Sequence, residues 1–229
     1  RNWIGKSGGA KIIFEIEGNK KKIEIFTTRP DTIFGVTFMT LAPELEIIRE
    51  ITHPDQINTV NDYIIKTQQR SERERMADVK NISGVFTGSY ALHPFSGERI
   101  PIWIGDYVLA DYGTGAVMSV PCGDQRDYVF AKHFNIPIKN IFKGVSINEE
   151  AFVDKANTTI DNSAFLTGLS YQEATEKIIQ ALEKKNCGQG TVNYRLRDAI
   201  FSRQRYWGEP IPIYYKDNMP KPLNLDDLP

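Results

Sequence analysis

The chain has 229 residues, 41% hydrophobic and 25% charged, with 28 Lys and Arg against 29 Asp and Glu. That length can bury a sizeable core, and a net charge of −1 supplies no global field toward nucleic acid, so any such contact must use local patches. No apolar run approaches the ~20 residues a bilayer span needs, the opening Arg1-Asn2-Trp3-Ile4-Gly5-Lys6 is not a signal peptide, and Cys122 and Cys187 lack metal-ligand spacing and read as free thiols of a reducing compartment.

Beginning without Met and stopping at Leu228-Pro229, the chain reads as a piece of a longer protein. Lys11 to Glu17 alternates, with Ile12, Phe14 and Ile16 on one face, and Lys20 to Phe26 returns after the turn signal Gly18-Asn19, which predicts a β-hairpin. Lys20, Lys21 and Lys22 read as a solvated edge. Then comes Thr27-Thr28-Arg29-Pro30-Asp31-Thr32, six residues dense in hydrogen-bonding groups at a strand exit. Two readings stay open there: a capped turn preset by Pro30, or a ligand site.

A strand is expected from about Gly35 to Leu41, then a helix opened by Pro43 with Ile47, Ile48 and Ile51 inward, and a second helix after His53-Pro54 running past Tyr63 into the mixed-charge stretch Arg70 to Arg75. Phe86 to His93 and Ile100 to Val108 read as paired strands around Pro94-Phe95-Ser96-Gly97, with Trp103 and Tyr107 in the core. Gly113-Thr114-Gly115 precedes a short strand from Ala116 to Val120, and Asp124 is placed to cap a helix through Phe134. Ile136 to Phe142 reads as a strand, Tyr171 to Asn186 as an amphipathic helix stopped by Cys187-Gly188, and Thr191 to Leu196 as a strand. The tail, with Pro210, Pro212, Pro220 and Pro222, reads as a linker.

Several chemistries are excluded. Gly113-Thr114-Gly115 lacks the third glycine of a dinucleotide site, and there is no Gly-Lys-Ser/Thr phosphate loop and no His-Glu-x-x-His. His53, His93 and His133 lie far apart, neither cysteine has a nucleophile's neighbourhood, and Ser119 lacks an elbow motif. Asp124 and Asp127 share the face of a first helical turn and can receive a cationic group. Capping competes as the job of Asp124, whereas Asp127 sits past the cap and is the better ligand contact.

Four stretches together resemble the editing domain (connective polypeptide 1) of bacterial-type leucyl-tRNA synthetases: Thr27 to Gly35, Gly113 to Met118, Asp124-Gln125-Arg126-Asp127, and Ser202-Arg203-Gln204-Arg205-Tyr206-Trp207-Gly208. Asn2-Trp3-Ile4-Gly5 is similar to that family's exit from the ligase domain, so the likeness covers essentially the whole chain. Neither His-Ile-Gly-His nor Lys-Met-Ser-Lys-Ser occurs, so adenylate chemistry is not expected of this chain.

The resemblance implies an α+β fold: a small, mostly antiparallel β-barrel core with helices near 43–75, 124–134 and 171–186. It implies a linker strand over 1–10, the editing domain over 11–190, and a return stalk over 191–229. The implied reaction is hydrolysis of the ester joining a noncognate amino acid (Ile, Val, norvaline or Met) to the terminal adenosine of tRNA(Leu), with leucine excluded. A hydrophobic site alone separates side chains differing by one methylene by only ~1–3 kcal/mol, which is why a second, hydrolytic sieve is needed.

By the same resemblance Asp127 holds the substrate α-ammonium, Thr32 excludes leucine by bulk, and Met118, Val120 and Tyr112 line the pocket and adenosine site. Thr27, Thr28 and Arg29 bind the terminal nucleotide and help place the attacking water, with Asp124 beside them. Neither a metal nor another cofactor is expected for editing; ATP and Mg belong to the full-length ligase. The implied partners are the tRNA(Leu) acceptor end and the rest of one monomeric, cytoplasmic, membrane-free synthetase chain. One departure stands out: the family has Gly or Ala and then His before the Asp-Gln-Arg-Asp run, and here Cys122 and Gly123 stand there. A module that docks the acceptor end without hydrolysis is the competing reading. For the Arg195 to Arg205 patch, a direct nucleic-acid contact competes with a stalk packed on the ligase domain.

Overall fold

A computed structural model of the chain describes residues 4–71, 74–75, 81–110, 113–154, 158–196, 213–216, 219–224 and 226. Two compact units result, Ser7–Asn193 and one formed by Arg1–Lys6 with Tyr194–Pro229.

The larger unit is built on a sheet whose strands are β1 (Ile4–Ile16), β2 (Lys22–Thr27), β3 (Phe38–Leu41), β4 (Gly84–Leu92), β5 (Arg99–Gly105), β6 (Ala116–Ser119) and β7 (Gly188–Leu196). The predicted hairpin forms, with Ile12 opposite Ile25 and Phe14 opposite Ile23, so the alternating apolar set falls on one buried face. On the other face Lys11–Glu24 and Lys22–Glu15 pair across the strands in solvent. The sheet order is β2-β1-β4-β5-β3-β6, and β7 also pairs with β1. The β1–β2, β1–β4, β4–β5 and β3–β6 ladders are antiparallel, and β3–β5 is parallel. Its two ends, β2 and β6, lie close together with no ladder joining them among the described residues. The sheet therefore bends round to bring its two ends together, and no closed barrel forms among the described residues. The Ile13 N–H donates to the Cys187 carbonyl (2.8 Å), and a Cβ at Gly188 would stand 2.4 Å from the Lys11 carbonyl oxygen.

Three expectations are corrected. Pro43 does not open a helix: i→i+3 bonds from Leu45, Ile48 and Arg49 make successive tight turns, and α1 is confined to Ile47–Ile51. Ile136 to Phe142 is no strand, because Asn140 donates to the Val145 carbonyl and accepts from the Phe142 N–H, diverting backbone groups from a ladder. Only the isolated Phe142–Ile160 bridge remains there. Part of the proline-bearing tail is a hairpin and not a linker: β8 (Ile213–Lys216) pairs antiparallel with β9 (Met219–Pro222), while Pro210 and Pro212 lie outside the described residues. Both strands of such a ribbon have a free edge toward which a proline nitrogen can point.

The helices follow the sequence more closely. Pro54–Gln56 is a short 3-10 turn that leads into α2 (Ile57–Gln68). Asp124 caps α3 (Gln125–His133) by accepting from the backbone N–H groups of Arg126 and Asp127. The outer face of the sheet receives α3 through Phe130, stacked on Phe38 at 5.1 Å between centroids and edge-on to Trp103 at 5.7 Å. Gly84 makes room, since a Cβ there would lie 2.6 Å from the Phe130 ring. A Ser170–Glu173 capping box starts α4 (Tyr171–Lys184), which buries Ala174, Ile178 and Leu182. Among the described residues no helix is long and apolar enough to cross a membrane.

Candidate active site

At the end of β2 the chain enters a 3-10 turn, Pro30–Gly35, with Pro30 at its first turn. Thr27, Arg29, Asp31 and Thr32 each have a local partner in the approach. Thr27 Oγ1 accepts from the Arg29 N–H (3.0 Å), and the Thr32 hydroxyl donates to the Arg29 carbonyl (2.8 Å). Thr32 is 3% exposed; with its hydroxyl occupied, it offers a neighbouring ligand its methyl and its bulk. Arg29 forks onto the fully buried Asp31, with Nε to Oδ1 at 3.0 Å and Nη2 to Oδ2 at 2.8 Å, and its guanidinium lies over the Tyr171 ring. Behind the turn, His93 Nδ1 accepts from the Phe95 and Ser96 N–H groups, which leaves Nε2–H to donate to the Ile33 carbonyl (3.1 Å).

The facing wall comes from β6 and α3. After Ser119 the Val120 carbonyl accepts from the Gly123 and Asp124 N–H groups, a tight turn that folds α3 back over the strand end. Asp127 in its first turn therefore reaches the Val120 N–H with Oδ2 at 2.9 Å, while the Tyr107 hydroxyl donates to Oδ1 at 3.1 Å. Asp127 is buried, and that burial, reinforced by the nearby Asp124 charge, lifts its carboxyl to about 7; the Val120 N–H and the Tyr107 and Ser119 hydroxyls pull it back only in part. Burial likewise lifts the Cys122 thiol to about 11, so it stays protonated.

One cavity is lined by Thr27, Thr28, Arg29, Thr32, Met118, Val120, Gly123, Asp124 and Asp127. An adjoining one shares Thr27, Thr28, Met118, Asp124 and Asp127 and adds Phe26, Tyr107, Val108, Val117 and Arg126. Thus eight of the nine residues singled out from sequence meet around one cleft; the ninth, Tyr112, lies outside the described residues, as do Arg203 and Arg205 of the basic stretch. Asp124 is both the helix cap and part of the wall, so its two readings coexist. At Gly123 an added Cβ would meet the Phe142 ring edge at 3.3 Å.

Two contributors escaped the sequence reading. Tyr107, expected as core, faces the cleft, and its only forewarning was that a buried tyrosine hydroxyl needs a partner. Gly9 lets β1 press against the site: a Cβ there would stand 2.1 Å from the Thr27 carbonyl oxygen. Its signal was a Gly-Gly pair within an otherwise strand-forming stretch. Chemically, the cleft offers a buried carboxylate on one wall, for a small cation, and two threonine hydroxyls and a guanidinium on the other, for a polar ligand.

A family model described as "Leucyl-tRNA synthetase, editing domain" matches residues 1–183. The chain is 62% identical over its whole length to a leucine–tRNA ligase of Christiangramia forsetii and 61% identical to that of Flavobacterium johnsoniae. It spans 24% of the length of each of these curated relatives. Among solved structures it is similar, with 35% identity and a TM-score of 0.67, to Agrobacterium radiobacter K84 agnB2 LeuRS in a ternary complex with tRNA and LeuAMS. That likeness covers 100% of this chain and 26% of the other.

Proposed function

The chain belongs to the editing-domain family of leucyl-tRNA synthetases, and from that membership we propose that its cleft hydrolyses the ester of noncognate aminoacyl-tRNA(Leu). The observation that carries the reading is the convergence of Asp127 with Thr27, Thr28 and Thr32 around one cavity, from segments about a hundred residues apart in sequence.

The substrate's α-ammonium sits against Asp127, a charge-assisted contact in a dry site that holds the ester carbonyl in one orientation. The side chain of the amino acid then points at Thr32, Met118 and Val120. Isoleucine, valine, norvaline or methionine fits beside the Thr32 methyl; leucine meets it. Thr27, Thr28 and Arg29 receive the terminal adenosine, and the threonine hydroxyls orient the water that attacks the carbonyl. The ribose oxygen leaves as the carboxylic acid forms. Residues 1–10 and 191–229 connect this domain, 11–190, to the rest of a synthetase chain whose ligase domain charges the same tRNA with leucine.

Deacylation of isoleucyl- and leucyl-tRNA(Leu) by the full chain is the test. Isoleucine is released selectively, Asp127→Ala abolishes that release, and Thr32→Ala makes leucyl-tRNA(Leu) a substrate. Retained hydrolysis in Asp127→Ala sinks the assignment. Absence of hydrolysis in the unsubstituted chain favours instead a domain that docks the acceptor end without cleaving, with Gly123 as the substitution to reverse first.

A further inference from the structure

Behind Asp127 runs a chain of three hydroxyls that no local motif announces. Ser119 Oγ on β6 lies 3.0 Å from Thr40 Oγ1 on β3, Thr40 Oγ1 lies 3.0 Å from the Tyr107 hydroxyl, and Tyr107 donates to Asp127 Oδ1. Thr40 and Ser119 are fully buried, and Tyr107 follows the end of β5, so three strands converge on one carboxyl oxygen.

Each hydroxyl has one proton, which makes the chain directional. When Asp127 is ionised, Tyr107 must donate to it and accept from Thr40, and Thr40 in turn accepts from Ser119. All three protons then point toward the carboxylate. When Oδ1 is protonated it donates to Tyr107 and the order reverses. The Val120 N–H holds Oδ2 in both states. Hydroxyl order and carboxyl ionisation are therefore one variable.

We propose that Tyr107, itself oriented by Thr40 and Ser119, is a positioning residue for the editing reaction: it holds the Asp127 carboxylate in the state and orientation that receive the substrate ammonium. This rests on the deacylase reading above. The Ser119 hydroxyl also favours the ionised carboxyl and acts with Tyr107 as part of the same chain. The other groups facing Asp127 do not do this job. Asp124, at the cap of α3, repels it; Cys122, in the turn before α3, is a protonated thiol; Arg126 does not line the cavity that holds Thr32; and Arg29, on the opposite wall, is forked onto Asp31. The Tyr107 phenol is pushed well above its usual range, first by burial and then by the Asp127 charge, so it remains a donor at every working pH.

Tyr107→Phe keeps the ring and removes the donor. In the full chain, the acidic limb of kcat/KM for isoleucyl-tRNA(Leu) deacylation moves up by about one pH unit, and KM at pH 7 rises about tenfold, the size of one hydrogen bond to a charged group. Thr40→Val, which leaves Tyr107 in place, shifts the limb in the same direction by less. It also decides the matter should Tyr107→Phe fail to fold. An unmoved limb, or an equal loss at every pH, overturns the proposal. Asp127→Ala separates the two claims: if it stays active, the assignment of the site falls; if it is inactive while the Tyr107→Phe limb is unmoved, only the role of Tyr107 falls.

Discussion

At the scale of single residues, Asp127 is placed against its own preference. Its carboxyl is lifted from an ordinary 3.8 to about 7, so folding favours the protonated form. A group raised in the folded state contributes stability fully below its unfolded pKa and loses it as pH rises through the folded value. Here that window runs from about 4 to about 7. Asp127→Asn, which keeps an acceptor for the Val120 N–H, should therefore unfold at higher denaturant than the parent at pH 8, by up to roughly 4 kcal/mol, with little advantage at pH 4. Urea titrations at the two pH values check this. The same variant should lose deacylation, because a neutral amide cannot pair with an ammonium. A parent more stable than the variant at pH 8 would mean that the carboxylate is better solvated than its burial implies. Asp127 was legible in sequence through its place one turn past a cap. Tyr107 was not, because the partner that reveals its role lies twenty residues away on another element.

Among elements, the geometry of the cleft depends on how α3 is seated. Phe130, one turn beyond Asp127 on the same face of the helix, fixes that face to Phe38 and Trp103. Phe130→Ala should cost about 3–5 kcal/mol in unfolding free energy, the usual range for a buried aromatic. It should also raise KM in deacylation, since the seat of Asp127 shifts with the helix. Equilibrium unfolding and steady-state deacylation on the same preparation measure both; unchanged stability would show that the aromatic cluster is not what docks the helix. The elements with strong periodicity or caps were legible: the Lys11 to Phe26 hairpin, the Asp124-capped helix, and the helix from Tyr171. Others depended on distant partners. The parallel pairing of β3 with β5 leaves no local trace, and Asn140 turned an apolar run into a loop through its own side chain. Thr27 to Thr32 offered turn and site as rivals, and the structure shows a 3-10 turn opened by Pro30 and lining a cavity, so the two are compatible.

On the scale of the whole molecule, β1 and β7 lie side by side although they open and close the larger unit in sequence. The contacts of Ile13 with Cys187 and of Lys11 with Gly188 descend in opposite directions. Continued along the ladder, they bring Ser7 beside Asn193, about one strand spacing of 4.8 Å apart. A module whose ends emerge together can interrupt another fold's loop at almost no conformational entropy, because the loop's span hardly changes whatever the length inserted. The same neighbourliness makes the unit indifferent to where its chain is cut. A circular permutant that joins Asn193 to Ser7 by a few glycines and begins at Asn19 should fold with a melting temperature close to that of the uncut 7–193 unit, as circular dichroism would record. A permutant that stays unfolded would mean that the Gly18-Asn19 connection, and not the adjacency of the ends, carries the cooperativity of the sheet.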